Sequence, residues 1–537
     1  MPPAPEDRLD SWKEIAAYLN RGVRTARRWE REEGLPVHRL VHRTHGTVYA
    51  YKSEIEAWRT AGSRAPAPAL ERMTSIAVLP FTNLSTDPEN AYFADGLTDE
   101  ITADLSKVRA LRVISRTSSM TFKGTSKDVR TIAGELGVRY VLEGSVRRAG
   151  SRLRITAQLI DARTDDHVWA DTYDGTVDDV FAIQERLARV IVDALELRLT
   201  ADEERWLAAR PIDNRHAYEC YLRARQEGWR WREDAIDHAV HLLRNGLEII
   251  GDNARLYAAL GLAHLQYREA GIDVGEHPLL EAETCVRKVF ALEPASAPGL
   301  QLRGWIHYSR GRIQEAARDL KAALDLDVNN ADSLLLLTNC YLISGRVSIG
   351  RPLIARLLAV DPLTPLSRCM PAWADVLDGH LAEAVEPYRQ MFEMDPANPM
   401  ARLFYVWVLV LNRRADDAGV ILETFPLEVR DTVPARIAFF LAHALAGDRR
   451  EAQAALTPEI DPLATASDVF PRLLAQGFAL AGMPGRAIDW LEVAVDRGFI
   501  NHPFLARHDP ALASVRRHPR FVQLMKIVRG RWERFEA

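Results

Sequence analysis

Cysteine is scarce in this chain of 537 residues. Its four cysteines, Cys220, Cys285, Cys340 and Cys369, stand far apart and include no C-x-x-C pair. That excludes a disulfide scaffold and leaves no zinc or redox signature. Each cysteine reads as a small apolar residue inside a helix. Long hydrophobic runs are missing too. The stretches around 334–337 and 404–411 reach only about ten residues, half of the roughly twenty that a spanning helix needs. The opening MPPAPEDRLD has neither the basic start nor the apolar run of a secretory signal. No G-x-x-x-x-G-K-[ST], H-E-x-x-H or G-x-S-x-G occurs anywhere. These absences predict a soluble, cytoplasmic, reduced protein with no membrane partner, no cofactor, no metal site and no enzymatic activity.

A strong charge of either sign is absent from the whole chain, where 69 Lys+Arg face 74 Asp+Glu for a net −5. The balance is uneven along the sequence, however. Residues 1–64 hold 12 Lys+Arg against nine Asp+Glu, and within 20–52 the count is eight to three, with His38, His42 and His45 in addition. The remainder is acidic. Basic charge is therefore gathered into one small module, and a net figure for the chain says nothing about nucleic acid as a partner.

That module, residues 1–60, has a readable order. Trp12, Ile15, Ala16 and Leu19 fall at helical spacing after Ser11, a good N-cap. Asn20-Arg21-Gly22 is a turn, and a second helix spans 23–33, with Val23, Ala26 and Trp29 inward. Arg24, Thr25, Arg27, Arg28 and Arg31 face the other way. Two strands, 37–41 and 47–51, flank a turn at His45-Gly46, and a last helix begins at Ser53. This is the order of a winged helix-turn-helix. Its second helix can enter a major groove, where arginine reads guanine and threonine meets a thymine methyl. Arg43, His45 and Lys52 on the hairpin would add backbone contacts. The alternative meaning of such a charge run is a solvated helix face. Residues 9–60 resemble the excisionase and MerR-type DNA-binding family in Trp12-Lys13-Glu14-Ile15-Ala16, in Val23-Arg24-Thr25-Ala26-Arg27-Arg28-Trp29-Glu30 and in Val48-Tyr49-Ala50-Tyr51. The resemblance implies double-stranded DNA as partner, and a homodimer on paired half-sites is the natural expectation.

Residues 61–73 form an Ala/Pro-rich linker. From 74 to 200 the pattern is β-α-β-α-β-β-β-α, which predicts a mixed sheet covered by helices. Its strands are expected at 76–81, 111–115, 140–147, 153–159 and 167–173, and its helices at 91–108, 129–136 and 180–199. Ile76-Ala77-Val78-Leu79-Pro80-Phe81, Phe93-Ala94-Asp95-Gly96-Leu97-Thr98, Glu143-Gly144-Ser145-Val146 and Leu153-Arg154-Ile155-Thr156-Ala157-Gln158-Leu159 resemble the amino-terminal α/β domain of the TolB family, in the variant found in many bacterial regulators. Relatives of that kind are often fused to DNA-binding heads, tetratricopeptide repeats or cyclase modules. Asp95, Asp99, Glu100 and Asp104 read as a solvated helix face or dipole partners. Gly144-Ser145 with Arg147 and Arg148 reads as a hairpin turn, with an anion site as the alternative.

Residues 201–500 repeat. Gly311, Gly345 and Gly379 are 34 apart, Gly447 keeps the register, Arg413 fills the skipped place, and Gly482 falls one residue late. Five residues after each stands a small residue, Ala316, Gly350, Ala384, Ala418, Ala452 and Ala487. Pro294, Pro362 and Pro396 share one register as well. A glycine that turns the chain, a small residue that lets two helices approach and a proline that ends the second helix make up the tetratricopeptide (TPR) pattern. One position of the repeat reads Trp305, Asn339, Trp373, Trp407 and Leu441. By the register of the TPR family it faces the concave side, where indoles can anchor a peptide; packing between neighbouring helices is the alternative. Residues 501–537 break the period and read as capping helices.

The expected fold is therefore multidomain α+β: a small winged helix-turn-helix, a mixed α/β sandwich domain and an all-α TPR solenoid. The expected function is a DNA-binding transcriptional regulator whose α/β domain and repeats receive a protein or ligand signal. A TPR interaction scaffold in a signalling complex, without DNA binding, is the alternative.

Overall fold

The computed structural model describes residues 8–9, 11–19, 22–23, 26, 35–41, 46–52, 54–55, 73–87, 90–176 and 179–536. The head opens with strand β1 (Arg8–Leu9) and helix α1 (Trp12–Tyr18). Ser11 caps α1 by accepting the Glu14 amide. Strands β2 (His38–Val41) and β3 (Gly46–Tyr51) pair antiparallel, and β1 joins the other edge of β3. That third strand was not expected. Two residues suffice for it because Arg8 and Leu9 meet Tyr51 and Ala50, and Leu9 drops into the core. Ile15, Ala16, Leu19, Ala26, Leu35, Ala50 and Ile55 complete that core.

The second unit is a six-stranded mixed sheet. It contains β4 (Thr74–Val78), β5 (Thr82–Asn83), β6 (Leu111–Val113), β7 (Tyr140–Ala149), β8 (Arg152–Asp161) and β9 (Asp166–Thr176). The order is β6-β4-β7-β8-β9, with β5 also on β7. β4 runs parallel to β6 and β7, and β7, β8 and β9 are antiparallel. Alternation along β4 explains the two layers. Ile76 and Val78 point to the face covered by α2 (Ala91–Ser106), while Ala77 and Leu79 point to the face holding Ile132, Ala133 and Leu136. The latter three belong to α4 (Val129–Leu136), which follows the short α3 (Arg116–Met120). The Gly144 expectation changes here. Gly144 lies inside β7, where an added Cβ would sit 2.4 Å from both Phe81 Cε1 and the Thr156 carbonyl. The hairpin turns at Gly150, at φ 62°, as the Ala149-Gly150-Ser151 sequence between the two strands leads one to expect.

The helix expected over 180–199 is two helices. α5 (Val180–Ala194) stops where Glu196 takes φ 53°. α6 (Ala201–Ala208) starts from a capping box formed by Thr200 and Glu203. Helix pairs follow from Arg215 to Asp496. One apolar core runs from Ile76 in β4 through the helices as far as Cys285, so the sheet and the first pairs share an interior. The period is expressed in the backbone. Gly311, Gly345, Gly379, Gly447 and Gly482 all adopt the left-handed turn, and Arg413 adopts it at φ 59° in the place where glycine is missing.

The chain after Asp496 does more than cap the array, because it runs back along that row of turns. An added Cβ on Gly311 would meet the Asp496 carbonyl, and one on Gly345 would approach Asn501 and Trp532. The Ile500 amide donates to the Ile343 carbonyl at 3.0 Å, and His508 Nδ1 meets the Leu377 carbonyl at 3.0 Å. Arg413 reaches the Pro510 carbonyl at 2.9 Å. The helix Pro519–Arg534 then crosses back to Arg346, which donates to the Trp532 and Phe535 carbonyls. The array is thereby closed on itself.

Candidate functional site

Of the residues expected to touch DNA, Arg24, Thr25, Arg27, Arg28, Arg31, Arg43 and His45 lie outside the described residues. Lys52 is described and follows β3 directly, half-buried. The sheet beside it carries a compact aromatic group. His38 stacks on Tyr49 at 5.0 Å and pairs through Nε2 with Glu54 at 2.6 Å, and the Arg8 guanidinium lies 4.1 Å from the Tyr49 ring centre.

The acidic face of α2 is not solvated, which corrects that expectation. Asp95, Asp99 and Glu100 are buried, because α2 is covered by the first helices of the array. Each finds a cation. Lys123 donates to Asp95 at 2.7 Å, Arg116 pairs with Asp99, and Arg255 grips both Glu100 oxygens at 2.7 Å. Arg225, from the array, stands 3.7 Å from Asp99. Burial still holds the Asp99 carboxyl above its ordinary range, with Arg116 and Arg225 pulling it back. Arg148, weighed as an anion ligand, is occupied: it donates to Tyr92 at 2.8 Å and pairs with Glu219 at 2.9 Å. Beside Glu100 and Arg255 lies a cleft of about 30 Å³, lined also by Gln184, Arg210 and Tyr218, with room for a water or two.

A second junction is built from hydroxyl groups. Asp361, in the loop between two helix pairs, is 4% exposed. Its Oδ1 accepts Ser115 Oγ at 2.5 Å, Ser118 Oγ at 2.7 Å and Thr364 Oγ1 at 2.8 Å, and its Oδ2 accepts Ser367 Oγ at 2.5 Å. Alongside it, the Ser115 amide donates to the Val360 carbonyl, and Asn329 donates to the Ser106 and Leu111 carbonyls. The sheet unit is thus fastened to the inter-repeat loops.

Two neighbours at the repeat position singled out for the concave side, Asn339 and Trp373, are joined directly, and a hydrogen-bonded chain runs on from them. Trp373 Nε1 donates to Asn339 Oδ1 at 3.1 Å, Asn339 Nδ2 donates to the Tyr308 hydroxyl, and Tyr308 donates to Asp468. Trp305, Asn339 and Trp373 keep part of their surface open, whereas Trp407 is 1% exposed and Leu441 is fully buried. Trp407 is enclosed because the helix Phe470–Leu480 lies over it and the rings of Trp373 and Tyr388 meet it edge-on, while Phe499 packs against Trp373. Gln476 accepts the indole N–H of Trp407 at 2.9 Å and donates to Asp509 at 2.6 Å. Arg472 lies against the rings of Trp373, Trp407 and Phe499. Glu269, exposed on its helix, is hydrogen-bonded to Ser309 beside this chain of contacts.

Arg472, Gln476, Tyr308 and Asp509 were not anticipated. A signal for the first two is present in the sequence. They are the two polar side chains of the 11-residue helix FPRLLAQGFAL, four apart and so on one face. Cys285, Cys340 and Cys369 are buried in helices and Cys220 is half-buried, all four as free thiols. Among the described residues no group of three metal-ligating side chains assembles, and no helix is long and apolar enough to cross a membrane.

Residues 72–190 match the family described as HilA/YgeH-like transcriptional regulator, second domain. The motifs of this segment had pointed to the TolB amino-terminal domain. A solved TolB from Acinetobacter baumannii aligns at 17% identity over 23% of this chain and 28% of that one, with a TM-score of 0.18. A thermophilic TPR protein from Thermus thermophilus aligns at 18% identity over 36% of this chain and the whole of that one, with a TM-score of 0.30. In sequence, 200 residues, 37% of this chain, are 47% identical to a curated protein of Rhizobium meliloti (strain 1021) named "Putative adenylate cyclase 3". The chain spans about a third of the length of that relative. The likeness overturns the expectation of no enzymatic activity, since the relative carries an enzyme's name. Residues 72–190 are thus similar to the second domain of a transcriptional regulator and are followed by an array of paired helices with a 34-residue period.

Proposed function

We propose that the protein is a DNA-binding transcriptional regulator whose sheet unit and helical array act as one signal-receiving body. The observation that carries this reading is the match of residues 72–190 to the second domain of a transcriptional regulator, directly behind a basic head. In the proposed complex Arg24, Thr25, Arg27, Arg28 and Arg31 lie in a major groove of double-stranded DNA. Arg43, His45 and Lys52 hold the phosphate backbone, and two copies bind paired half-sites. Trp305, Asn339 and Trp373 form the partner-binding surface of the array, while Trp407, expected there too, is buried behind it and makes no contact with a partner. The test is selection of bound genomic fragments by the purified chain across a salt series. The expected result is a salt-sensitive complex that Arg24→Ala, Arg28→Ala and Arg31→Ala together abolish. Failure of the intact chain to retard any fragment at low salt would falsify it.

The cyclase-named relative favours a second reading, in which this chain itself forms a cyclic nucleotide and does not act on DNA. Cyclic AMP formation from ATP by the full chain, with and without magnesium or manganese, tests it. Product above a no-protein control supports the second reading, and none, with DNA retarded, supports the first.

A further inference from the structure

The helical array has two edges. The row of left-handed turns makes one, and the chain after Asp496 covers it from Gly311 to Arg413. The loops between successive helix pairs make the other. The sheet unit lies on two of those loops, through Asn329, Val360 and Asp361. Beyond that footprint the loop edge is open, and it carries apolar side chains: Leu366 is 44% exposed, Met394 45% and Leu427 76%. Leu427 is the most exposed large apolar residue among those described. Contacts between the loops tie these positions into one strip. Arg368 Nη1 meets the Met394 sulfur at 3.8 Å, and Arg402 donates to the Pro396 carbonyl at 2.6 Å and to Thr424 Oγ1 at 2.7 Å. Pro365, Pro396, Pro399 and Pro426 stiffen the strip, so little conformational freedom is left to lose on docking. A rigid apolar strip with a polar rim, continuous with a surface that already holds the sheet unit, marks a protein contact.

The charges of the strip specify the occupant. Arg368 is exposed at one end and has no carboxylate partner among the described residues. Glu428 is exposed at the other end and has no cationic partner among them. Met394 lies between the two. A strip that is basic at one end, acidic at the other and apolar between is complementary to itself when turned end for end. Nucleic acid and anionic membranes are repelled by the acidic end, where Glu423 is exposed as well. We propose that this edge is the contact between two copies of the chain, related by a two-fold axis near Met394. Leu366 of each copy then packs on Leu427 of the other, and Arg368 of each faces Glu428 of the other. The contact deepens the reading that two copies act on paired half-sites, and it forms without DNA.

The test is sedimentation velocity of the full chain, without DNA, from about 1 to 100 µM. A dimer is expected with a Kd at or below about 10 µM. Leu427→Glu, at an open position, keeps the helical content and weakens the dimer at least about tenfold. Arg368→Glu and Glu428→Arg each place two like-charge pairs in the contact and weaken it at least about threefold. The double variant restores opposite charges at both ends and recovers most of that loss. A chain that stays monomeric at about 100 µM, or a dimer that Leu427→Glu leaves untouched, overturns the proposal. So does a double variant that associates no more tightly than the single ones. Should Leu427→Glu fail to fold, the charge exchange decides. The variant with Arg24→Ala, Arg28→Ala and Arg31→Ala is expected to keep the dimer, so failure of DNA binding and failure of this contact are read separately.

Discussion

Removing the Asp361 carboxylate is expected to loosen the sheet unit from the array without unfolding either. Four hydroxyl groups donate to that carboxylate, two from the sheet unit (Ser115 and Ser118) and two from the array, Thr364 in the inter-repeat loop and Ser367 in the helix that follows it. A hydrogen bond to a charged acceptor is worth about 1.5–3 kcal/mol net, so four such bonds would amount to roughly 6–12 kcal/mol. Against this stands the cost of burying the carboxylate, several kcal/mol for a side chain as enclosed as this one. The hydroxyl groups freed by Asp361→Ala also rotate toward water or backbone carbonyls. The difference comes to about 3 kcal/mol. The assay is native-state hydrogen exchange at the Ser115 amide, which donates across the junction to the Val360 carbonyl at 2.6 Å. A loss of about 3 kcal/mol corresponds to roughly hundredfold faster exchange there. Ser118→Ala tests the same junction, since Ser118 Oγ also accepts the Leu363 amide at 3.0 Å. The double variant should show coupling of about 1–2 kcal/mol. Exchange at Ser115 within about fivefold of wild type, together with additive single variants, refutes the idea that Asp361 fastens the two units.

Other outcomes follow from the same structure. Gly144→Ala forces a methyl group to within 2.4 Å of Phe81 and of the Thr156 carbonyl, so urea unfolding should report a loss of about 2–4 kcal/mol. Burial raises the Asp99 carboxyl in the folded chain, which therefore binds more protons than the unfolded chain just above the ordinary carboxylate range. Stability should fall as pH rises through that range, and Asp99→Asn should flatten that part of the profile in thermal melts. Cys285 and Cys369 are pushed up to about 12 by burial, and Cys340 is also raised. A thiol reagent at neutral pH should label half-buried Cys220 first and the other three only on denaturation, as counted by mass spectrometry.

The repeat was legible because its devices are local. A glycine at each turn, or Arg413 taking the same φ, and small residues such as Ala316 and Gly350 act within a single helix pair. β4 was legible as a short apolar run, and β8 because Leu153, Ile155, Ala157 and Leu159 alternate with polar residues, as neighbouring side chains of a strand must face opposite sides. The helix boundary near 195 was missed because Glu196, a residue with no turn preference of its own, takes the left-handed conformation there. Asp95, Asp99 and Glu100 were misjudged because their sequence shows an acidic helix and says nothing about what covers it. The cover arrives from Arg225 and Arg255, more than a hundred residues later.

The same contrast divides the repeat position. Period alone put Trp305, Asn339, Trp373 and Trp407 on one line, because a repeat of fixed length carries equivalent positions to equivalent places. Whether that line faces solvent is a property of how far the array curls and of where the chain goes beyond it. Here the chain after Asp496 returns along the turns and Phe499 packs against Trp373, which stays partly open, while Arg472 and Gln476 enclose Trp407. The sequence by itself determined the elements, their period and the separation of a basic head from an acidic body, all of which come from short-range sterics and composition. Only the tertiary structure decided which charges are buried, which partners they meet and where the array closes. Those outcomes depend on contacts between residues that no local rule brings together.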